Sequence, residues 1–489
     1  MAASGFSPPA IDFGAMSPSI VVIVAALVVL LAGLFLPERA KGTLATLSIV
    51  GLIGGLVATL VAGQAGVTGA NGMLVLDGFA VFIGVIILGA GIVTVLLSDG
   101  YVGRQAISTG EYYALLLFAC AGMLLVVSAA DLIMILLGIE ILSIALYVLA
   151  GFSRGRDTSE ESALKYFLLG AFSLSFMIYG SALLFGVAKS TRLATIATVL
   201  AQGARPSLID SSLVLAGVAL ILVGFAFKLS FAPFHMWTPD AYEGAPTPIT
   251  AFMSVATKAA VFAALLRFLT FAIPTLQPEW TMVLAALAVL TMVIGNIAAV
   301  VQSRVKRLLA YSSIAQAGYI LIGVLAGNAI GGASVLFYLL GYAITNIGAF
   351  AVLMAIGDAG DSDPEVADFD GLGRRSPLLA FAMTVFMLGL AGIPLTAGFM
   401  SKLYVFTAGV QAGLIDLVIV GVITSAIATF YYLRIVVAMY FRGPAPAPIA
   451  LRTTGALTGL IVVLAIGTIA LGVLPAGPLG FAASAVAQR

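Results

Sequence analysis

The stretch FAFKLSFAPFHMWTPDAYEGAPTPI, Phe225–Ile249, opens as an apolar membrane helix and then departs from one. Lys228 lies deep among apolar residues, Pro233 follows it, and His235 is the chain's only histidine. Proline has no N–H to donate, so a helix passing through Pro233 loses its bond to the Leu229 carbonyl. At membrane depth a freed carbonyl is tolerated only where protein or internal water satisfies it.

The rest of the chain sets the context for that break. Hydrophobic residues make up 62% of its 489 residues, charged residues 9%, and the formal net charge is +1. Soluble domains carry about 25% charged residues. The runs Pro18–Leu36, Leu132–Gly151 and Thr454–Val473 each hold about 20 apolar residues, enough to cross ~30 Å of hydrocarbon as a helix. Such runs follow one another with short gaps, which predicts an all-α polytopic membrane protein with one continuous bundle over residues 1–489. The N-terminal MAASGFSPPAIDFGAMSPS has no Lys or Arg, so it lacks the basic region of a cleavable signal, and the first apolar run is expected to be retained. One cysteine, Cys120, and one histidine argue against an iron–sulfur cluster, a structural zinc or a bis-histidine haem on this chain. Any electron carrier then belongs to a partner.

Turn and charge signals divide the chain into about fourteen helices, starting near residues 17, 43, 75, 112, 131, 162, 211, 246, 281, 305, 332, 377, 412 and 455. If the first runs inward, Arg39, Lys41, Arg104, Arg154, Arg156, Arg304, Lys306, Arg307, Arg374, Arg375, Arg442 and Arg452 all fall on the cytoplasmic side. Only Lys189, Arg192, Arg205 and Arg489 fall outside, a bias that supports the helix count and an external, periplasmic N-terminus. The connection Lys189–Ser207 has room for a short amphipathic helix, and Asp358–Arg375, with six acids, reads as a solvated cytoplasmic loop.

A weak internal symmetry is also visible. Residues 111–273 and 281–442 each hold about five helices, flanked by 1–110 and 443–489, and each contains a proline-interrupted segment with a lysine. These are Lys228 with Pro233 on the seventh helix and Lys402 with Pro394 on the twelfth. Because five is odd, the second unit is inverted relative to the first, and inverted repeats with broken helices mark a transport pathway near the midplane.

Four charges resist assignment to loops or helix ends. Glu140 is central in MILLGIEILSIALYV, Lys228 is deep in its helix, Lys258 is central in AFMSVATKAAVFAALL, and Lys402 follows the break in LAGIPLTAGFMSKLYVF. An ionised side chain at the bilayer centre costs at least ~3 kcal/mol on insertion scales. Buried ion pairs or snorkelling lysines that only lock helices are the bland explanation. One acid cannot pair with three lysines, however, and burial without a counter-charge disfavours the ammonium form, which makes an unpaired lysine a proton carrier. His235 is either a hydrogen-bonded core histidine or a relay, seven residues from Lys228 and on the same face if the helix were continuous. Lys165 reads as a lysine snorkelling to the cytoplasmic interface, Arg267 and Arg434 as helix-end anchors, and Asp131 as a helix start.

At these residues the sequence resembles the antiporter-like membrane subunits of proton-pumping NADH–quinone oxidoreductase, respiratory complex I, over essentially its whole length. The most specific parts are KLSFAPFHMWTPDAYEGAPTPITAF (228–252), SALKYFLLGAFS (162–173), KRLLAYSSIAQAGY (306–319) and GIPLTAGFMSKLYVF (392–406). The wording PDAYEGAPTPIT, a lysine at 402 where one sister type has glutamate, and no long C-terminal lateral helix favour one of three sister types. That family is similar to monovalent cation/proton antiporter subunits, the alternative reading, and shares with them a fourteen-helix core with two inverted five-helix units.

The resemblance implies roles residue by residue. Glu140 and Lys228 match an ion pair at the start of a half-channel, Lys258 the central connecting lysine, Lys402 the terminal proton-loading residue, and His235 a histidine linking the polar axis. At 4 Å and an effective dielectric of about 20, an ion pair of this kind is worth about 4 kcal/mol, enough to act as a switch. The resemblance also implies no cofactor on this chain, with NADH, FMN, iron–sulfur clusters and quinone, including ubiquinone, on partner subunits. The expected neighbours are other antiporter-like and small membrane-arm subunits and membrane lipid, with no nucleic acid, in the bacterial plasma (inner) membrane.

Overall fold

A computed structural model describes residues 12–37, 40–64, 66–104, 109–153, 155–202, 208–356, 363–443 and 450–487. Arg39, Arg154, Arg205, Arg489, Asp358 and Asp361, used above for orientation and loop charge, lie outside them.

The chain begins with α1 (Ser17–Phe35), α2 (Gly42–Gly63), a hairpin of β1 (Val67–Gly69) and β2 (Leu74–Leu76), α3 (Gly78–Ser98), the single turn α4 (Tyr101–Arg104) and α5 (Thr109–Ser128). Then come α6 (Leu132–Ala150), α7 (Asp157–Ala188), α8 (Leu193–Ala201), α9 (Leu208–Lys228), α10 (Trp237–Gly244), α11 (Thr247–Phe252) and α12 (Lys258–Arg267). A π-helical turn, Met253–Thr257, joins α11 to α12 immediately before Lys258. Next are α13 (Gln277–Val300), α14 (Val305–Leu325), α15 (Ala329–Ile356), the turn α16 (Leu372–Arg375), α17 (Pro377–Ala391), α18 (Ala397–Gln411), α19 (Ile415–Phe441), α20 (Gly455–Val473) and α21 (Ala476–Ala487).

Among the described residues, thirteen segments are long and apolar enough to span a membrane. The segment expected from residue 377 is divided into α17 and α18, and neither half is that long. The burial of each span shows its place in the bundle. Thr247–Ala272 is 100% buried and Val305–Leu325 94%, whereas Ser17–Phe35 and Gly455–Val473 are 28% buried and turn most of their apolar surface outward. An outward apolar face suits lipid or a neighbouring helix. Where α7 packs on α9, a Cβ at Gly180 would collide with the Gly217 carbonyl, so small residues set that close approach.

Local chemistry explains several starts and corrects several expectations. Asp131 caps α6, its Oδ1 accepting from the Ile133 amide at 2.8 Å while Oδ2 accepts from the Thr191 hydroxyl at 2.8 Å. The helix expected from residue 75 begins at Gly78, because Val75 pairs with Thr68 in the hairpin and Asp77 caps α3 through the Ala80 amide. The short helix expected between Lys189 and Ser207 is α8, and α21 is an additional C-terminal helix packed on α15 and α3. Arg267 anchors a helix end as expected, but from a buried position: it lies in the last turn of α12 and its Nη2 is 3.0 Å from the Asp77 carboxylate. Arg434 does secure a helix end, donating to the Val300 carbonyl at 3.0 Å and to that of Gln302.

The described part of the acidic loop is docked rather than merely solvated. Its backbone bonds to the segment before α14, with the Val305 amide on the Pro364 carbonyl and the Val366 amide on the Ser303 carbonyl, both at 2.9 Å. Phe369 and Leu372 are buried.

Candidate functional site

The two breaks are built differently from simple kinks. α9 stops at Lys228, before Pro233, and Ser230 adopts a left-handed conformation at φ 61°. The Phe227 carbonyl, in the last turn of α9, finds its partners within this break. It accepts from the Trp237 indole and the Ser230 amide, both at 3.0 Å. The Ala232 amide reaches the Thr291 hydroxyl at 2.9 Å. At the second break, α17 ends at Ala391 and Gly392 adopts φ 85°, where a Cβ would press on the Lys402 side chain. The carbonyl that Pro394 leaves free, that of Leu390, accepts from Lys402 Nζ at 3.2 Å and from Gln316 Nε2 at 3.0 Å.

Lys228, Lys258 and Lys402 are each buried, and each is held by neutral oxygens. Lys228 Nζ donates to Ser143 Oγ at 2.7 Å and to Tyr147 Oη at 3.0 Å. Its ammonium also lies 5.0 Å from the Tyr147 ring centre and 5.4 Å from that of Tyr166, which stacks on Trp237. Lys258 donates to the Ser313 carbonyl. Lys402 donates to the Ala391 carbonyl and the Ser425 hydroxyl, each at 2.8 Å, and lies 4.9 Å from the Tyr319 ring centre.

The expected Glu140–Lys228 ion pair is not formed here. Glu140, Ser143 and Tyr147 follow one another at helical spacing along α6, and the ammonium sits on the latter two, one turn beyond the partly exposed Glu140. His235 is not brought against Lys228 either, because the turn between α9 and α10 destroys the continuous helical face. Its Nδ1 is buried without a hydrogen-bond partner among the described residues.

Between Lys258 and Lys402 runs a hydroxyl and amide network that sequence reasoning missed. Tyr338 Oη donates to Gln316 Oε1, Gln316 Nε2 reaches Tyr432 Oη at 3.3 Å, and Tyr432 shares a hydrogen bond with Ser312. Asn296 donates to Tyr319 Oη at 2.9 Å and accepts from Tyr431 at 3.1 Å. Helix α14 organises this line through Ser312, Ser313, Gln316 and Tyr319. The missed signal was that polar spacing inside SSIAQAGY. Around Lys258, Ser313 Oγ, Tyr342 Oη and Asn346 Oδ1 are buried without a hydrogen-bond partner among the described residues, positions suited to internal water.

At one end of the bundle the charges cluster. Lys165 joins Asp240 at 2.7 Å and Glu161 at 2.6 Å, so it is an ion-paired residue and not only a snorkelling one. Arg307 bridges Asp240 at 2.8 Å and Glu243 at 2.7 Å, and Arg304 also pairs with Glu243. The network ties α7, α10 and α14 together.

Comparison with known proteins shows the family to which the chain belongs. The family model for the transmembrane region of NADH:quinone oxidoreductase and Mrp antiporters matches residues 129–428. NADH-quinone oxidoreductase subunit N of Trichlorobacter lovleyi is 47% identical over 476 residues, covering 97% of each chain. The subunit N of Chloroflexus aggregans is 48% identical over 471 residues, covering 96% of each. Among solved structures, a chain of respiratory complex I from Thermus thermophilus aligns at TM-score 0.81 and 36% identity, covering 95% of this chain and 99% of its own. A chain of the Mrp complex from Dietzia sp. shares the fold at TM-score 0.84 and 22% identity, covering 97% of each. The chain belongs to the NADH:quinone oxidoreductase/Mrp antiporter transmembrane family, and within it to the subunit N group.

Proposed function

We propose that this chain carries protons across the membrane as a membrane-arm subunit of an NADH-quinone oxidoreductase, a translocase driven by redox chemistry on its partners. The observation that carries the reading is the pair Lys258 and Lys402: both are buried, both are bound among the described residues only to neutral oxygens, and the α14 network lies between them. Each lysine can hand a proton to neutral neighbours, and hydroxyls and water supply the next acceptors. Lys228 begins the line from its aromatic cage, with Glu140 as its alternative partner one turn away. His235, beside the first break, is a relay candidate reached through its unbonded Nδ1.

Two inverted units, 111–273 and 281–442, fit this mechanism. In each, the fourth of five membrane segments is the broken one, α9–α10 in the first and α17–α18 in the second. The N-terminus lies outside a bacterial inner membrane and the Asp363 loop faces the cytoplasm, in keeping with the distribution of Lys and Arg. FMN, iron–sulfur clusters, NADH and quinone are bound by partner subunits, while neighbouring antiporter-like and small membrane-arm subunits cover its outward apolar faces. An autonomous cation/proton antiporter subunit is the second reading. It rests on a fold likeness at 22% identity, against 47% for the oxidoreductase relatives.

The test is NADH-driven proton translocation in membrane vesicles carrying the assembled complex with Lys258→Met or Lys402→Met. Assembly with loss of pumping is the expected result, and undiminished pumping would overturn the reading.

A further inference from the structure

Asp363 is held against the start of α14 by the loop's pairing with residues 303–306. Its Oδ1 accepts from the Lys306 amide at 3.0 Å, while its Oδ2 is buried with no partner among the described residues. The charged groups facing it are Lys306, Arg304 and Glu243. Burial outweighs the two cations and raises its pKa to about 6, so near neutrality the carboxyl both gains and loses a proton. The second oxygen takes no part in the cap and is left as the place where a proton can reside.

Inward from Asp363 the polar groups continue to Lys258. The Lys306 ammonium, itself buried, donates to the Ala245 carbonyl at 3.0 Å. The Thr250 hydroxyl shares that turn, donating to the Tyr242 carbonyl at 2.9 Å. The Tyr242 hydroxyl lies beside Ser313, whose carbonyl binds Lys258.

We infer that Asp363 is the proton acceptor at the mouth of the path that feeds Lys258. The inference rests on the proposed role of Lys258 and adds the residue through which its proton enters. A solvent proton forms the O–H bond at the Asp363 carboxylate. That bond breaks as the proton passes inward by way of water, and an N–H bond forms on neutral Lys258. The carboxylate is thereby regenerated, so no oxidant or reductant is consumed.

Asp363→Asn separates this role from capping, because the amide oxygen still accepts from the Lys306 N–H but cannot take up a proton. In inverted vesicles containing the assembled complex, Asp363→Asn should slow NADH-driven proton uptake by about tenfold and abolish its dependence on pH near 6, and Asp363→Glu should restore the rate with a pH dependence displaced from that of the wild type. Wild-type uptake and pH profile in Asp363→Asn would overturn the inference, as would equal losses in Asp363→Asn and Asp363→Glu. If Asp363→Asn fails to assemble, Asp363→Glu decides: a displaced pH profile supports the role and an unchanged one refutes it. Lys258→Met is measured alongside. Normal pumping there refutes the reading of Lys258 itself, whereas blocked pumping there with normal Asp363→Asn refutes only the entrance.

Discussion

Lys228 Nζ donates to Ser143 Oγ at 2.7 Å, while Glu140 stands one helical turn before Ser143 on the same helix. The lysine therefore has two sets of acceptors within a short displacement, neutral oxygens in the structure and a carboxylate beside them. Holding the ammonium on Ser143 and Tyr147 keeps it apart from a charge whose attraction at 4 Å would be about 4 kcal/mol at an effective dielectric of about 20.

Ser143→Ala should consequently bias Lys228 toward Glu140 and slow proton translocation several-fold, about 1 kcal/mol for one lost hydrogen bond. Glu140→Gln should also slow it. Because both changes act on one switch, the double variant should lose less than the product of the single losses. Proton uptake by assembled complexes checks this, and strictly multiplicative losses would show that Glu140 and Ser143 act independently.

How much of this was legible beforehand differs from residue to residue. Lys258 and Lys402 stood out because charge at the middle of an apolar run has few explanations, and Pro394 pointed to the Leu390 carbonyl through plain stereochemistry. The spans were legible for the same reason, since hydropathy and length decide them. The cage around Lys228 was not, because Tyr147 and Tyr166 look like ordinary core aromatics until α6 and α7 are packed. Arg267 was legible as a helix-end anchor but its counter-ion was not, because Asp77 lies far away in sequence. Gln316 gave no warning either: a single amide is cheap enough to sit in any buried helix, and its importance comes from partners on α15, α17 and α19.

Gln316→Leu preserves volume but leaves the Tyr338 hydroxyl without its acceptor and the Leu390 carbonyl with Lys402 alone. Leaving a buried polar group unpaired costs about 1–3 kcal/mol. The complex should assemble, as its apolar packing is retained, and proton translocation should fall to near background. Native gel electrophoresis with a pumping assay distinguishes this from simple misassembly, and full pumping would remove Gln316 from the path.

Arg307→Ala should loosen α10. Among the described residues Arg307 alone pairs with both Asp240 and Glu243, and its loss leaves Asp240 to Lys165 and Glu243 to Arg304. These side chains are partly exposed, so the expected loss of stability is modest, about 1 kcal/mol. Hydrogen exchange should quicken across Trp237–Gly244 and not in α20, whose contacts are unaffected. Equal change in both would indicate general damage instead of a local one.

The docking of the acidic loop should depend on pH through Asp363. Burial is the largest influence on this carboxyl and raises its pKa from 3.8 to about 6, against the opposing pull of Lys306 and Arg304. A group whose folded value is raised favours the folded arrangement in its protonated form. Its contribution is fully present below about pH 4 and is lost as pH rises through about 6. The loop should therefore grip α14 more firmly at pH 5 than at pH 7.5. Hydrogen exchange, corrected for the intrinsic effect of pH, should show the Val305 and Val366 amides less protected at the higher pH, since both bond across this junction. Asp363→Asn keeps the oxygen that caps Lys306 but has no charge to bury, so its protection should stay high and flat over the same range. If the variant retained the wild-type slope, the pH sensitivity would belong to another group, and Glu243, which faces the same carboxyl, would be the next to replace.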